Sequence, residues 1–173
     1  MQRAQPPLVK GHPYVASYRT GSPSLPGGSV TGRVYRDSAG RSRLDIDSGT
    51  GQEVQFIDDP ATGTFFVIDS SNKSYERDSH EPIDIGWIFP NAAPIFTEEH
   101  LVILGLDCVR VRLRAPRGAP EPGDVGEAWV SKQYGILMKQ RSSQDWNWEI
   151  TEIQFREPGP GTFDVPAGYR ESR

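Results

Sequence analysis

Apolar and polar residues alternate along most of this chain in short runs closed by Gly, Pro, Asn, Asp and Ser. Period-two alternation between turn residues is the pattern of half-buried antiparallel strands. It predicts strands at 14–20, 30–37, 41–47, 53–58, 64–69, 74–77, 98–104, 108–115, 126–132, 136–141 and 146–156. In the third of these Leu44 and Ile46 share one face, while Arg43, Asp45 and Asp47 share the other. Asp59-Pro60-Ala61-Thr62-Gly63 is a turn with a mechanism, because Pro fixes φ and Gly supplies a positive one. These connections are far too short for parallel crossovers, so the sheet is expected to be an antiparallel meander. Residues 1–13 read as a flexible N-terminal segment and 14–173 as one β domain.

Residues 79–97 break the rhythm. The stretch is apolar, but Pro82, Pro90 and Pro94 forbid a long helix or a central strand. Either a long connection packing its own aromatics or a short helical turn lying across the sheet is expected there. Several strands are apolar on both faces: Phe65 and Val67 oppose Phe66 and Ile68. In the last strand Trp146, Trp148 and Ile150 have one parity and Ile153 and Phe155 the other. Either a bulge near Thr151 flips the register, or both faces are covered. The expected covers for a second apolar face are the 79–97 connection, another subunit or a ligand.

Composition narrows the class. A chain of 173 residues makes one domain. Its apolar fraction, 35%, is below the globular norm of about 45–50%, which suits a single curved sheet with a thin core. A net charge of −4 argues against a nucleic-acid partner, which needs a concentrated basic face. Cys108 is the single cysteine, so no intrachain disulfide forms. No stretch approaches 18 apolar residues, so no transmembrane segment is expected. The N-terminus has no apolar leader region as it stands. A leader removed on export and a natural cytosolic start are both open readings.

Candidate chemistry is sparse. Arg110, Arg112 and Arg114 project from one side of one strand. They read either as a face for an anionic partner or as a solvent face paired with cross-strand carboxylates. Asp45 with Asp47, and Asp58 with Asp59, are carboxylate pairs at strand ends and turns, where Asp also serves local hydrogen bonding. His12, His80 and His100 lack metal-ligand spacing, and there is no nucleophile elbow or phosphate-cradling glycine loop. No catalytic residue, metal site or cofactor is expected. Trp129, Trp146 and Trp148, with Trp87 and Phe89, are the candidate lining of an apolar pocket, against the alternative that they fill a core.

The order of motifs has a counterpart. Gly32-Arg33-Val34-Tyr35-Arg36 leads to Gly40-Arg41-Ser42-Arg43-Leu44-Asp45, then to Asp58-Asp59-Pro60, Phe65-Phe66-Val67-Ile68-Asp69 and Lys73-Ser74-Tyr75. Leu104-Gly105-Leu106-Asp107-Cys108-Val109-Arg110 and Glu127-Ala128-Trp129-Val130-Ser131 follow, and Phe163-Asp164-Val165-Pro166-Ala167-Gly168-Tyr169 closes the chain. This resembles the secreted bacterial proteins of the lipoprotein-localisation (LolA/LolB-like) superfamily over about residues 14–170. The resemblance implies a mainly β fold: a curved antiparallel sheet, an unclosed half-barrel, with one or two short helical segments over its concave apolar face. It also implies export to the periplasm or beyond and a hydrophobic ligand or lipoprotein held in the concave face. The alternative is a protein-interaction module of the cell envelope with no small ligand. The known carriers have an N-terminal helix where this chain has Pro and Gly.

Overall fold

The computed structural model describes residues 12–23, 25, 27–47, 53–79, 93–115 and 123–172. Every predicted strand forms. In chain order they are β1 (Tyr14–Gly21), β2 (Ser29–Arg36), β3 (Ser42–Asp47), β4 (Glu53–Asp59), β5 (Thr64–Asp69), β6 (Ser74–Ser79), β7 (Ala93–Ile103), β8 (Leu106–Arg114), β9 (Asp124–Ser131), β10 (Ile136–Ser142) and β11 (Asn147–Gln154). A short β12 (Arg170–Glu171) is added at the end. The Pro60–Gly63 turn forms as its residues dictate, with Gly63 at φ +64°. β7 starts earlier than the pattern suggests and includes Pro94. That proline is tolerated because β7 is an edge strand. No helix occurs among the described residues. The helical expectation fell on 79–97, of which residues 80–92, including Trp87 and Phe89, lie outside them.

The strands make one curved, unclosed sheet in the order β12-β6-β5-β4-β3-β2-β1-β11-β10-β9-β8-β7. It consists of two antiparallel meanders, β1–β6 and β7–β11, joined where β11 returns to pair with β1. Only β12 is parallel, against β6. This topology puts β6 and β7 near opposite ends of the sheet. Laid flat, the ten spacings between them would need about 48 Å. The chain from Ser79 to Ala93 reaches at most ~46–50 Å. Only a fully extended connection could span a flat sheet, so connectivity favours a bent one.

Bulges supply part of the bend. Ser17 faces Glu152 and Tyr18 faces Ile150, so Thr151 is the extra residue. Its Oγ1 donates to the Ser17 carbonyl at 3.3 Å. This is the register flip that the parity change in the last strand required. It brings Trp148, Ile150 and Ile153 to one face. Further irregularities interrupt β9/β10 near Met138, β8/β9 near Arg114 and β7/β8 between Phe96 and His100. Each adds local twist and curvature.

The main core lies on that face. Tyr18, Val34, Val111, Leu113, Ala128, Met138, Trp148 and Ile150 are all nearly inaccessible there. Tyr18 lies across Gly32 on the neighbouring strand and donates to the Asp45 carbonyl at 2.8 Å. Its ring stacks on Trp148 with centroids 5.7 Å apart. Arg36 closes one end of the core. Its guanidinium is buried beside the Tyr14 ring and donates to the carbonyls of His12, Tyr134 and Gly135.

The opposite face carries a second, smaller apolar layer. Ile57 and Ile68 are 1% and 0% exposed there. The C-terminal segment is tied along this face. Arg43 donates to the Thr162 carbonyl at 2.7 Å, Arg41 lies over the Phe163 ring at 4.7 Å, and Arg170 N–H reaches Lys73 O. The expected covers of a second apolar face, the 79–97 connection, a subunit or a ligand, left out the chain's own tail, which these contacts hold along it. Its Pro166–Tyr169 motif is a turn closed by Tyr169 N–H on Pro166 O, with Gly168 at φ +83° where a type II turn requires it.

Candidate functional site

The core face is not sealed uniformly. Across β8–β11 and β1–β2 it is closed. Across β3–β5 the same face carries Leu44, Ile46, Val54, Phe56, Phe65 and Val67, and all six are only half-buried. The register explains why they are neighbours: Leu44 faces Phe56, Ile46 faces Val54, and Phe56 faces Val67. The Phe56 and Phe65 rings stack diagonally at 5.9 Å. This is a continuous apolar surface that extends the core and remains accessible. Pattern reading assigned these residues to strands but passed over them as site candidates. Their shared parity in the sequence was the available signal. Which stretch of a face stays open is set by curvature, which parity does not encode.

The three described tryptophans do not form one lining. Trp148 is buried in the core, stacked on Tyr18. Trp146 precedes β11 and packs against the same cluster, half-buried. Trp129 lies on the other face: its partners are Arg110 and Lys139, whereas Trp148 is opposite Gln140, which pairs with Ala128. The sequence set is therefore split between a closed core and the polar surface. Trp87 and Phe89 lie outside the described residues.

Arg110, Arg112 and Arg114 do project together beside Trp129, and each meets a carboxylate. Arg110 bonds Glu127 and Glu99 at 2.7 and 2.9 Å. Arg112 bonds Asp124 at 2.6 Å, and Arg114 lies 3.8 Å from the same carboxylate. The hydrogen bonds to Glu127 and Glu99 raise the Arg110 pKa further. Three cations and three carboxylates leave this ladder without net charge, so it offers no surplus positive field to an anion.

The remaining chemical candidates are used locally. Asp58 and Asp59 point to opposite faces, as adjacent strand residues must. Asp45 is engaged by Arg43 at 2.6 Å. His12 packs edge-on to Tyr134, and His100 Nδ1 is 2.9 Å from Asp107. His80 lies outside the described residues. Cys108 is fully buried, and burial, reinforced by the nearby Asp107, pushes its thiol up from 9.0 to about 11. No cluster of His, Cys, Asp and Glu among the described residues is arranged to hold a metal. A groove of about 420 Å³ lies over the Thr151 bulge, lined by Ser17, Thr31, Arg33, Asp45, Gln55 and Thr151 among others. Its side chains are polar and it is wide open, unlike an apolar ligand site. No helix among the described residues is long and apolar enough to cross a membrane.

No protein-family model matches the sequence, and no curated protein matches it. Solved structures do share the fold. An uncharacterized conserved protein from Thermus thermophilus matches over 94% of this chain and 91% of its own, at 9% identity and a TM-score of 0.65. PNGF-II matches over 93% of this chain at 11% identity with a TM-score of 0.59, and MucB over 91% at 13% identity with a TM-score of 0.52. The chain spans 31% of PNGF-II and 58% of MucB. A LolA superfamily protein from Nitrosomonas europaea matches over 90% of this chain and 91% of its own, at 12% identity and a TM-score of 0.38. Identities this low carry the fold and no activity.

Proposed function

We propose that this chain is an exported binding module, periplasmic or secreted, that holds an apolar, lipid-like ligand or the acyl group of a lipoprotein against the open part of its core face. The observation that carries this reading is the contrast within one face. Eight apolar residues from Tyr18 to Ile150 are shut away, while Leu44, Ile46, Val54, Phe56, Phe65 and Val67 stay half-open beside them. A contiguous accessible apolar patch is costly in water and marks a surface that something else covers. None of these six side chains carries a polar group, so the patch is read as a surface for binding. Trp146 and Trp148 support this site from the packed side, as the floor of the core that the ligand would extend.

The test is displacement. The fluorescent probe N-phenyl-1-naphthylamine should brighten on binding the wild-type protein and be released by palmitate. Phe56→Lys should weaken probe binding by about tenfold or more, the cost of putting a charge on an apolar contact. Its circular dichroism should match the wild type. Absence of binding by the wild type, or equal binding by Phe56→Lys, overturns the reading. Export is tested separately by fractionating cells that express the chain from its own gene, and recovery in the cytosol overturns that part.

A further inference from the structure

The β7–β8 hairpin ends in Leu101-Val102-Ile103-Leu104-Gly105-Leu106, six residues without one polar side chain. It is also a projection. The first β8–β9 pair is Val109 with Val130, so the hairpin beyond His100 runs past its neighbour strand, with Ile103, Leu106 and Cys108 on its inner side packed on the core. Val102 is 68% exposed, Leu104 49% and Leu101 43%. Leu104 stands at φ +49°, in a two-residue turn with Gly105. Such turns favour Asn or Gly at that position, and a bulky residue there is strained. The Leu104 side chain gains little burial in return. Backbone strain held at an exposed apolar residue points to a use outside the fold.

Among the described residues no strand pairs with the edge beside this tip. β7 ends the sheet. Because Ile103 and Leu106 flank a two-residue turn, they form a hydrogen-bonded pair, so the N–H and C=O groups of Val102 and His100 point away from β8. Further along, the same edge is protected. Pro94 removes a donor, the Thr97–Glu99 bulge breaks the ladder, and Glu98 and Glu99 add charge. Protection that stops at residue 99 leaves a docking edge about four residues long.

We infer that the His100–Leu104 edge and tip of the β7–β8 hairpin dock a short extended segment of a partner protein, which adds as a further strand, places its apolar side chains against Leu101, Val102 and Leu104, and carries a basic residue to meet Glu98. Strand addition gives affinity through the main-chain groups and specificity through alternate side chains. The edge is too small for a stable dimer of this chain, which buries about 20–30 residues a side. Glu98 is exposed and forms no ion pair among the described residues, so a basic residue flanking the incoming segment can pair with it. This site is separate from the apolar face above, and neither inference depends on the other.

The probe is a capped seven-residue peptide of alternating valine and threonine with lysine at both ends, titrated into ¹⁵N-labelled protein. Saturable amide shifts should concentrate at His100 and Val102 and at the tip. Leu104→Asn should weaken the peptide by about tenfold or more while raising the Tm by roughly 2–4 °C, since Asn relieves the turn. Val102→Lys should also lose binding. Opposite signs in stability and affinity distinguish docking from a structural role. Shifts absent from residues 100–106, or unchanged affinity in Leu104→Asn, overturn the proposal. So does flotation with phosphatidylcholine vesicles that Leu104→Asn abolishes, or dimerisation through the same tip.

Discussion

Gly32→Ala tests the central packing claim. A Cβ at Gly32 would lie 2.2 Å from the Asp45 carbonyl oxygen and 2.4 and 2.5 Å from Tyr18 Oη and Cζ. Two of these obstacles belong to a stacked, buried ring and one to backbone, so none can swing aside. The position does not have a positive φ, so alanine adds no backbone strain and the cost is steric. Overpacking of this kind costs about 1–3 kcal/mol. If the ring yields instead, the Tyr18 hydrogen bond goes, about 1 kcal/mol, together with part of the ring's burial, about 1–2 kcal/mol. Reduced entropy of the unfolded chain returns about 0.4–1 kcal/mol. The net loss is therefore about 1–2.5 kcal/mol, a sizeable part of a domain's total stability, with a Tm lower by roughly 2–10 °C. Urea unfolding followed by circular dichroism measures it. Tyr18→Ala in the same background should be far less than additive, because the two residues occupy one space. A Gly32→Ala protein within about 0.5 kcal/mol of wild type would refute the placement of Tyr18 over this strand.

Three further outcomes follow from the same structure. Arg36→Met leaves the carbonyls of His12, Tyr134 and Gly135 without their charged donor in a buried setting and should cost about 2–4 kcal/mol in urea unfolding. Arg112→Gln, at an exposed pair with Asp124, should cost no more than about 1 kcal/mol by the same measurement. The Cys108 thiol has its folded-state pKa raised above the unfolded value, so its contribution is intact below pH 9 and is lost as pH rises from 9.0 towards 11. Unfolding free energy should fall across that window and fall less in Cys108→Ala, and iodoacetamide should label wild type at pH 8 only after denaturant is added.

Most of the fold was legible because each strand carries its own signal. The register of β3 against β2 and β4 follows from Leu44 and Ile46 standing opposite the charged set Arg43, Asp45 and Asp47. The parity break in the last strand required a bulge, and Thr151 is where it occurs. Long-range order was not legible. Nothing local in β11 says that it pairs with β1 in the middle of the sheet, or that β6 and β7 face away at the two ends. The same limit hid the tail. Phe163 and Tyr169 read as a terminal motif, but only the pairing of β4 with β3 and β5 reveals the Ile57 and Ile68 layer on the face along which the tail is tied.

That limit also explains why the aromatic residues were poor guides to a site. Tryptophan buries more area than any other side chain, so it goes where curvature closes a face, and Trp148 sits there with Tyr18. The residues left accessible are those beyond the tightest part of the bend. A sheet whose bulges gather around β11–β1 and β7–β10 closes on that side first, and its β3–β5 stretch, whose pairings carry no bulge, stays open. There the side chains are of ordinary size and belong to strands like any other. A binding surface built this way has no motif of its own. It exists because one face is continuous while the curvature that seals it is not.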